Sequence, residues 1–321
     1  GHARNDNDKA AIEILFNPAL MDAAKDCDGF YEKLYKFQCY CWYAFILQDF
    51  LLYYRYCQKW VDLFETEPKM IEVETAHYIK GMHNLMSAHF DLRNYAKFND
   101  TICRFEAFTQ TPTVLDNQNN TIQTFVYLYL SKINRHFMEG TFEAGIAEIP
   151  LIEEKLTEYE LYLDRHRVLV FYYKFASLYF GAGNYSASID YLNKVINLKG
   201  DLRTDLQCYA RLLHLIAHYE LGNFEILEHL LKSVTRFMAK MENLGLAEAE
   251  IFSFLKRSFR LQPGALKPAF EKLLENLKVV EQDKLASRAF MYLDVISWLE
   301  SKIENRKISD IIKEKAKLSN R

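Results

Sequence analysis

Four short turns along the chain look alike: Leu92-Arg93-Asn94-Tyr95, Glu139-Gly140-Thr141-Phe142, Ala182-Gly183-Asn184-Tyr185 and Leu221-Gly222-Asn223-Phe224. Each joins a long helical stretch to a second one that begins with an aromatic residue. Their second residues lie 47, 43 and 39 residues apart. A two-helix unit of that size cannot bury its apolar face alone, so successive units have to pack on one another. A non-repetitive helical domain is the competing reading, and four similar turns at a near-constant period argue against it.

Helical periodicity supports the same picture. Ile79, Met82, Met86 and Phe90 step by three and four, as do Tyr185, Ile189, Leu192 and Val195. So do Phe224, Leu227, Leu231, Val234 and Met238, and Phe290, Leu293, Ile296 and Leu299. Each set lays one apolar stripe along a helix. No segment alternates like a strand. With 11 Gly and 6 Pro in 321 residues the chain is too poor in turn formers for an all-β fold.

The spacing predicts helices over 9–25, 29–47, 49–65, 69–91, 94–109, 119–139, 142–158, 162–181, 185–198, 202–221, 223–242, 246–260, 264–279, 283–304 and 307–318. Breaks fall at Glu67-Pro68, Thr111-Pro112, Lys199-Gly200 and Gln262-Pro263-Gly264. Pro150 lies inside the 142–158 pattern. It lacks an amide hydrogen and crowds the preceding turn, so a kink or break is expected just before it. Phe175, Tyr179, Tyr185, Leu192, Leu227 and Val234 are expected in the core.

Charge and cysteine content narrow the function. Forty basic and 43 acidic residues leave a net charge of −3, scattered without a basic stripe, which speaks against nucleic-acid binding. The most apolar stretch, Cys39 to Tyr54, is interrupted by Gln48 and Asp49 and is too short to cross a bilayer, so no membrane role is expected. The six cysteines at 27, 39, 41, 57, 103 and 208 form no C-x-x-C pair. Most sit at apolar positions of helical patterns, which reads as thiols of a reducing, cytoplasmic compartment. The chain opens on Gly1-His2 instead of Met, which reads as a tag remnant and leaves open that it is part of a longer protein.

Signs of chemistry are sparse. His214 and His218 share a helix face at a zinc-compatible spacing, but Leu215 stands where an H-E-x-x-H motif has Glu, so packing or hydrogen bonding is the favoured reading. His83 and His89, six apart, do not share a face. Cys39 and Cys41 diverge from one another on a helix. Phosphate loops and nucleophile elbows are absent. No catalytic residue, cofactor or metal is assigned.

The turns and the residues around them resemble tetratricopeptide repeats. In Tyr172 to Gly200 the resemblance rests on Tyr172, Phe175, Ala176 and Tyr179, then Gly183-Asn184-Tyr185 and Ser188, and Leu192, Val195 and Ile196. Tyr209 to Met238 keeps Ala217, Gly222, Asn223 and Phe224 but has Leu215 and Leu227 at small positions. Around 93 and 140 the match is weaker, with Arg93 for the turn glycine and Phe98 for a small residue. The chain as a whole resembles repeat-rich cytoplasmic proteins of Bacteroidetes-type bacteria.

The resemblance implies an all-α fold, a right-handed superhelix of antiparallel helix pairs. Residues 1–321 would form a single solenoid, clearest over 69–242, with 1–68 and 243–321 as flanking or capping helix pairs. It also implies that first helices line a concave groove. By position that groove holds Lys80, His83, Asn84 and Ser87, then Tyr127, Ser131 and Asn134. It continues with Tyr173, Lys174 and Ser177, then Tyr209, Ile216 and Tyr219. Tyrosine beside Asn, Lys and Ser suits peptide recognition, and no Lys/Arg clamp for a carboxylate terminus is present. The expected function is a non-catalytic scaffold binding a peptide or protein segment. The alternative is a helical ligand-binding protein or enzyme with a closed cavity.

Overall fold

In the computed structural model the described residues are 3, 6–16, 28–197, 203–241, 245–258, 261–282 and 294–319. The expected ends of the 9–25 and 283–304 helices, the Lys199-Gly200 break and Cys27 lie outside them. Among the described residues the fold is all-α, with 17 helices and no strand. The chain comprises two compact units, residues 1–134 and 135–319.

The first unit contains α1 (Asp6–Leu15), α2 (Phe30–Ile46), α3 (Phe50–Thr66), the short α4 (Lys69–Val73), α5 (Thr75–Asp91), α6 (Tyr95–Thr109) and the single turn α7 (Pro112–Leu115). The helix expected over 69–91 is thus two helices that meet at Glu74. Helix α8 (Gln118–Glu139) carries the chain into the second unit. There follow α9 (Phe142–Glu158), α10 (Arg165–Gly181), α11 (Tyr185–Ile196), α12 (Thr204–Glu220) and α13 (Phe224–Lys240). The chain closes with α14 (Leu246–Ser258), α15 (Pro263–Glu281), α16 (Val295–Glu304) and α17 (Ile308–Ser319).

The helices pack in chain order, α2 on α3, α3 on α5 and α5 on α6 in the first unit. In the second, each helix from α9 to α17 packs on the next. Trp60, Phe64, Ile79, Met82, Phe98 and Phe105 fill the first core. Phe171, Phe175, Leu192, Leu213, Leu227, Phe254 and Trp298 fill the second. Of the six expected core residues, Phe175, Leu192, Leu227 and Val234 are buried, while Tyr179 and Tyr185 are half-buried. Tyr179 stacks on the Tyr191 ring, and Tyr185 hydrogen-bonds to the Glu220 carboxylate.

The four look-alike turns share one backbone. Arg93, Gly140, Gly183 and Gly222 all have φ between 54° and 81°. In each, the next amide reaches back five residues to a carbonyl: Asn94 to His89, Thr141 to His136, Asn184 to Tyr179 and Asn223 to His218, at 2.9–3.1 Å. This is the Schellman closure, which satisfies carbonyls that a helix end would leave bare. Asn94 and Asn184 then cap the next helix by accepting the Lys97 and Ala187 amides.

Two further turns are built the same way. Gln48 (φ 56°) lies between α2 and α3, with the Asp49 amide bonded to the Ala44 carbonyl. Asn305 (φ 53°) lies between α16 and α17, with the Arg306 amide bonded to the Ser301 carbonyl. Neither position holds glycine. Leu47-Gln48-Asp49-Phe50 nevertheless parallels Leu92-Arg93-Asn94-Tyr95, and Asp49 caps α3 by accepting the Leu52 amide. The hairpin pattern thus reaches beyond 69–242 toward both ends of the chain.

The break expected before Pro150 does not occur, because α9 runs continuously from Phe142 to Glu158. Pro150 lies on the exposed side of the helix, where water can satisfy the carbonyl that its missing amide would have bonded.

In the second unit, α16 is tied to the end of α12. The Trp298 indole donates to one Glu220 carboxylate oxygen at 2.6 Å and the Lys302 ammonium sits 2.8 Å from the other. The Trp298 ring lies edge-on to Tyr219 and Phe270.

Candidate functional site

The positive-φ turn residue gives every hairpin a common origin for counting. Thirteen residues before it stand Tyr35, Lys80 and Tyr127 in the first unit, and Val170 and Tyr209 in the second. Six before it stand Trp42, Ser87 and Asn134, then Ser177 and Ile216. Ten before it are Gln38, His83 and Leu130, then Tyr173 and Leu212. Nine before it are Cys39, Asn84 and Ser131, then Lys174 and Leu213. All ten principal sequence-derived candidates, Lys80, His83, Asn84, Ser87, Tyr127, Asn134, Tyr173, Lys174, Ser177 and Tyr209, therefore fall on four equivalent positions of their helices.

Equivalent position does not bring equivalent exposure. Asn84, Tyr127, Tyr173 and Tyr209 are buried, Tyr209 to 3 % exposure, and so are Ser131, Ile216 and Tyr219. Lys80, His83, Ser87, Asn134, Lys174 and Ser177 are half-buried. In the first unit His83 stacks on Tyr127 with ring centroids 3.9 Å apart, and the Lys80 ammonium lies over the same ring. In the second, the Lys174 ammonium lies over Phe137.

Within the first unit the large open aromatic side chains lie on α2. Trp42 is 55 % exposed, Tyr35 52 % and Tyr31 44 %. Spaced four and seven residues apart, they share one helix side. Tyr31 and Tyr35 stack at 6.4 Å, and the Tyr31 hydroxyl donates to Glu74. That bond raises the Tyr31 phenol above its ordinary pKa. Glu74 also meets the His77 imidazole at 2.9 Å, and His77 lies edge-on to Tyr35. The result is a row of aromatic rings beside one carboxylate and one imidazole. The signal that could have found it was the Gln48 turn, which sets α2 in register with α5.

The histidines report packing. His89, His136 and His218 all stand five residues before the capping position of a hairpin turn. His136 Nδ1 lies 2.7 Å from Thr141 Oγ1, and His218 Nδ1 lies 3.0 Å from Asn223 Nδ2. His214 and His218 pack edge-to-face at 4.4 Å. Among the described residues no group of three or more His, Cys, Asp or Glu is placed to hold a metal ion. Among those residues no helix is long and apolar enough to cross a membrane.

Burial lowers His89 to about 4, helped by Lys97. Burial lowers His214 to about 4 as well, helped by His218 and Arg211. Both folded values lie below the unfolded value, about 6.5. Between the two, the unfolded chain holds a proton that the native state does not, so stability falls as pH drops from about 6.5 toward 4. Each imidazole is expected to withdraw up to roughly 3 kcal/mol by pH ~4. Urea midpoints taken at about pH 7.5 and 4.5 should differ less in His89→Gln/His214→Gln than in the parent protein. An identical acid loss in both proteins would show that these histidines do not set it.

No protein-family model matches the chain, and no curated protein sequence matches it.

Proposed function

We propose that the protein is a non-catalytic interaction scaffold of tetratricopeptide type. Its hairpins stack as a right-handed superhelix, and the side of α2 that bears Tyr35 and Trp42 is where a peptide or protein segment docks. The observation that carries the reading is the exposure of Tyr35 and Trp42 at the helix positions where α5 has Lys80 and Ser87. Large rings with few rotatable bonds give contact area at low entropic cost, and His77, edge-on to Tyr35, adds a polar group beside them. The tyrosines at related helix positions further along the chain, Tyr127, Tyr173 and Tyr209, are buried and offer a ligand little area.

The test begins with peptides selected from a displayed random library against the immobilised protein. Binding is then followed by isothermal titration calorimetry, which reads the parent protein and both variants alike. Selected peptides should lose at least about tenfold in affinity, ~1.4 kcal/mol, on Tyr35→Ala or Trp42→Ala, with melting unchanged. Failure to enrich any sequence, or affinities indifferent to both changes, would remove the proposal.

A further inference from the structure

Cys41 on α2 and Cys57 on α3 face each other in the first core with their sulfurs 3.6 Å apart. Both are essentially excluded from solvent. They stand on either side of the Gln48 turn, so each sulfur comes from a different arm of one hairpin. Cys39 and Cys103 are exposed, and Cys208 is buried in the second unit.

We propose that Cys41 and Cys57 are a latent disulfide site that staples α2 to α3 under oxidising conditions. The bond requires the sulfurs to close from 3.6 Å to about 2.05 Å. With hydrogen peroxide as oxidant, one thiol loses its proton and attacks the O–O bond, giving a sulfenic acid and hydroxide. That hydroxide takes up the released proton as water. The second thiol then attacks the sulfenic sulfur and expels a second water. Two thiols and one peroxide thus become one disulfide and two waters, with two electrons passing from sulfur to oxygen.

Burial sets the rate. It pushes the Cys57 thiol well above its ordinary pKa, and the Cys41 sulfur adds to the effect. Thiolate is scarce, so the reaction waits on local opening of the hairpin, and the pair behaves as a slow lock. Because α2 carries Tyr35 and Trp42, the lock fixes the helix that presents the exposed rings. The pairing itself does not depend on what those rings bind.

The experiment uses the full chain with Cys39→Ser and Cys103→Ser, both at exposed positions. The reduced protein is treated with hydrogen peroxide, denatured, alkylated and mapped by mass spectrometry. The expected result is a peptide linked through Cys41 and Cys57, a mass loss of about 2 Da reversed by dithiothreitol, and a melting point higher by about 5 °C. Cys57→Ser should abolish the mass loss, and Cys41→Ala should do the same if the serine variant folds poorly. Alkylation of both Cys41 and Cys57 after oxidation overturns the proposal, as does a linked peptide formed through any other pair.

Discussion

Glu220→Ala is expected to destabilise the second unit by roughly 3–5 kcal/mol, the range for removing one partner of a buried charge cluster. The Glu220 side chain is 5 % exposed and takes the Trp298 indole at 2.6 Å, the Lys302 ammonium at 2.8 Å and the Tyr185 hydroxyl. The three donors do not lose equally. Lys302 is about a third exposed and can turn to water, so its own pairing with Glu220 contributes little, about 1 kcal/mol or less. Trp298 is 1 % exposed and cannot. Its indole N–H would be left without an acceptor, which costs about 1–3 kcal/mol by itself. Lys302→Met is therefore expected to be mild and Glu220→Ala severe. Glu220→Gln should fall between them, since its amide oxygen can still accept from Trp298 while its amide nitrogen faces the Lys302 ammonium. Urea unfolding followed by Trp298 fluorescence ranks the three. Equal losses for Lys302→Met and Glu220→Ala would mean that the ion pair, and not the indole bond, holds α16 to α12.

Much of the architecture was legible in the sequence because the helical pattern and the turn chemistry agree. Tyr185, Ile189, Leu192 and Val195 mark a helix that begins where the Asn184 side chain caps it. The limits of that reading have physical causes. Gln48 and Asn305 adopt the left-handed turn without glycine, so a reading keyed to Gly-Asn-aromatic passes over the first and last hairpins. Pro150 reads as a breaker until its exposed side of α9 is known. The candidate site was legible in register only. Periodicity gives the direction in which Tyr209 and Tyr35 point along their helices, and both stand thirteen residues before a turn. It does not give what lies opposite them. Tyr209 is covered and Tyr35 is open, a difference set by tertiary neighbours that no local pattern encodes.

The turn glycines offer a test of where the C-terminal helix sits. Gly183→Ala and Gly222→Ala should each cost about 1–2 kcal/mol, the penalty for holding a side chain at positive φ. At Gly183 a new Cβ meets nothing within 4 Å, and at Gly222 the nearest atom is a Phe224 ring carbon at 3.8 Å. Gly140, with φ of 66°, differs. Its Cβ would stand 2.6 Å from the Ser309 carbonyl oxygen and 3.3 Å from side-chain atoms of Ile312 and Lys313. The oxygen belongs to the backbone of α17 and cannot rotate aside as a side chain would. Relief requires α17 to shift as a body, and Ile308, Ile311 and Ile312 are buried on it. Overpacking of that kind adds about 1–3 kcal/mol, so Gly140→Ala should lose roughly 2–5 kcal/mol in all. Hydrogen exchange should show the extra loss as faster exchange in α17, which Gly183→Ala leaves protected. If the three alanine variants unfold at the same urea concentration, α17 is not held against the Gly140 turn and the close approach has no energetic weight.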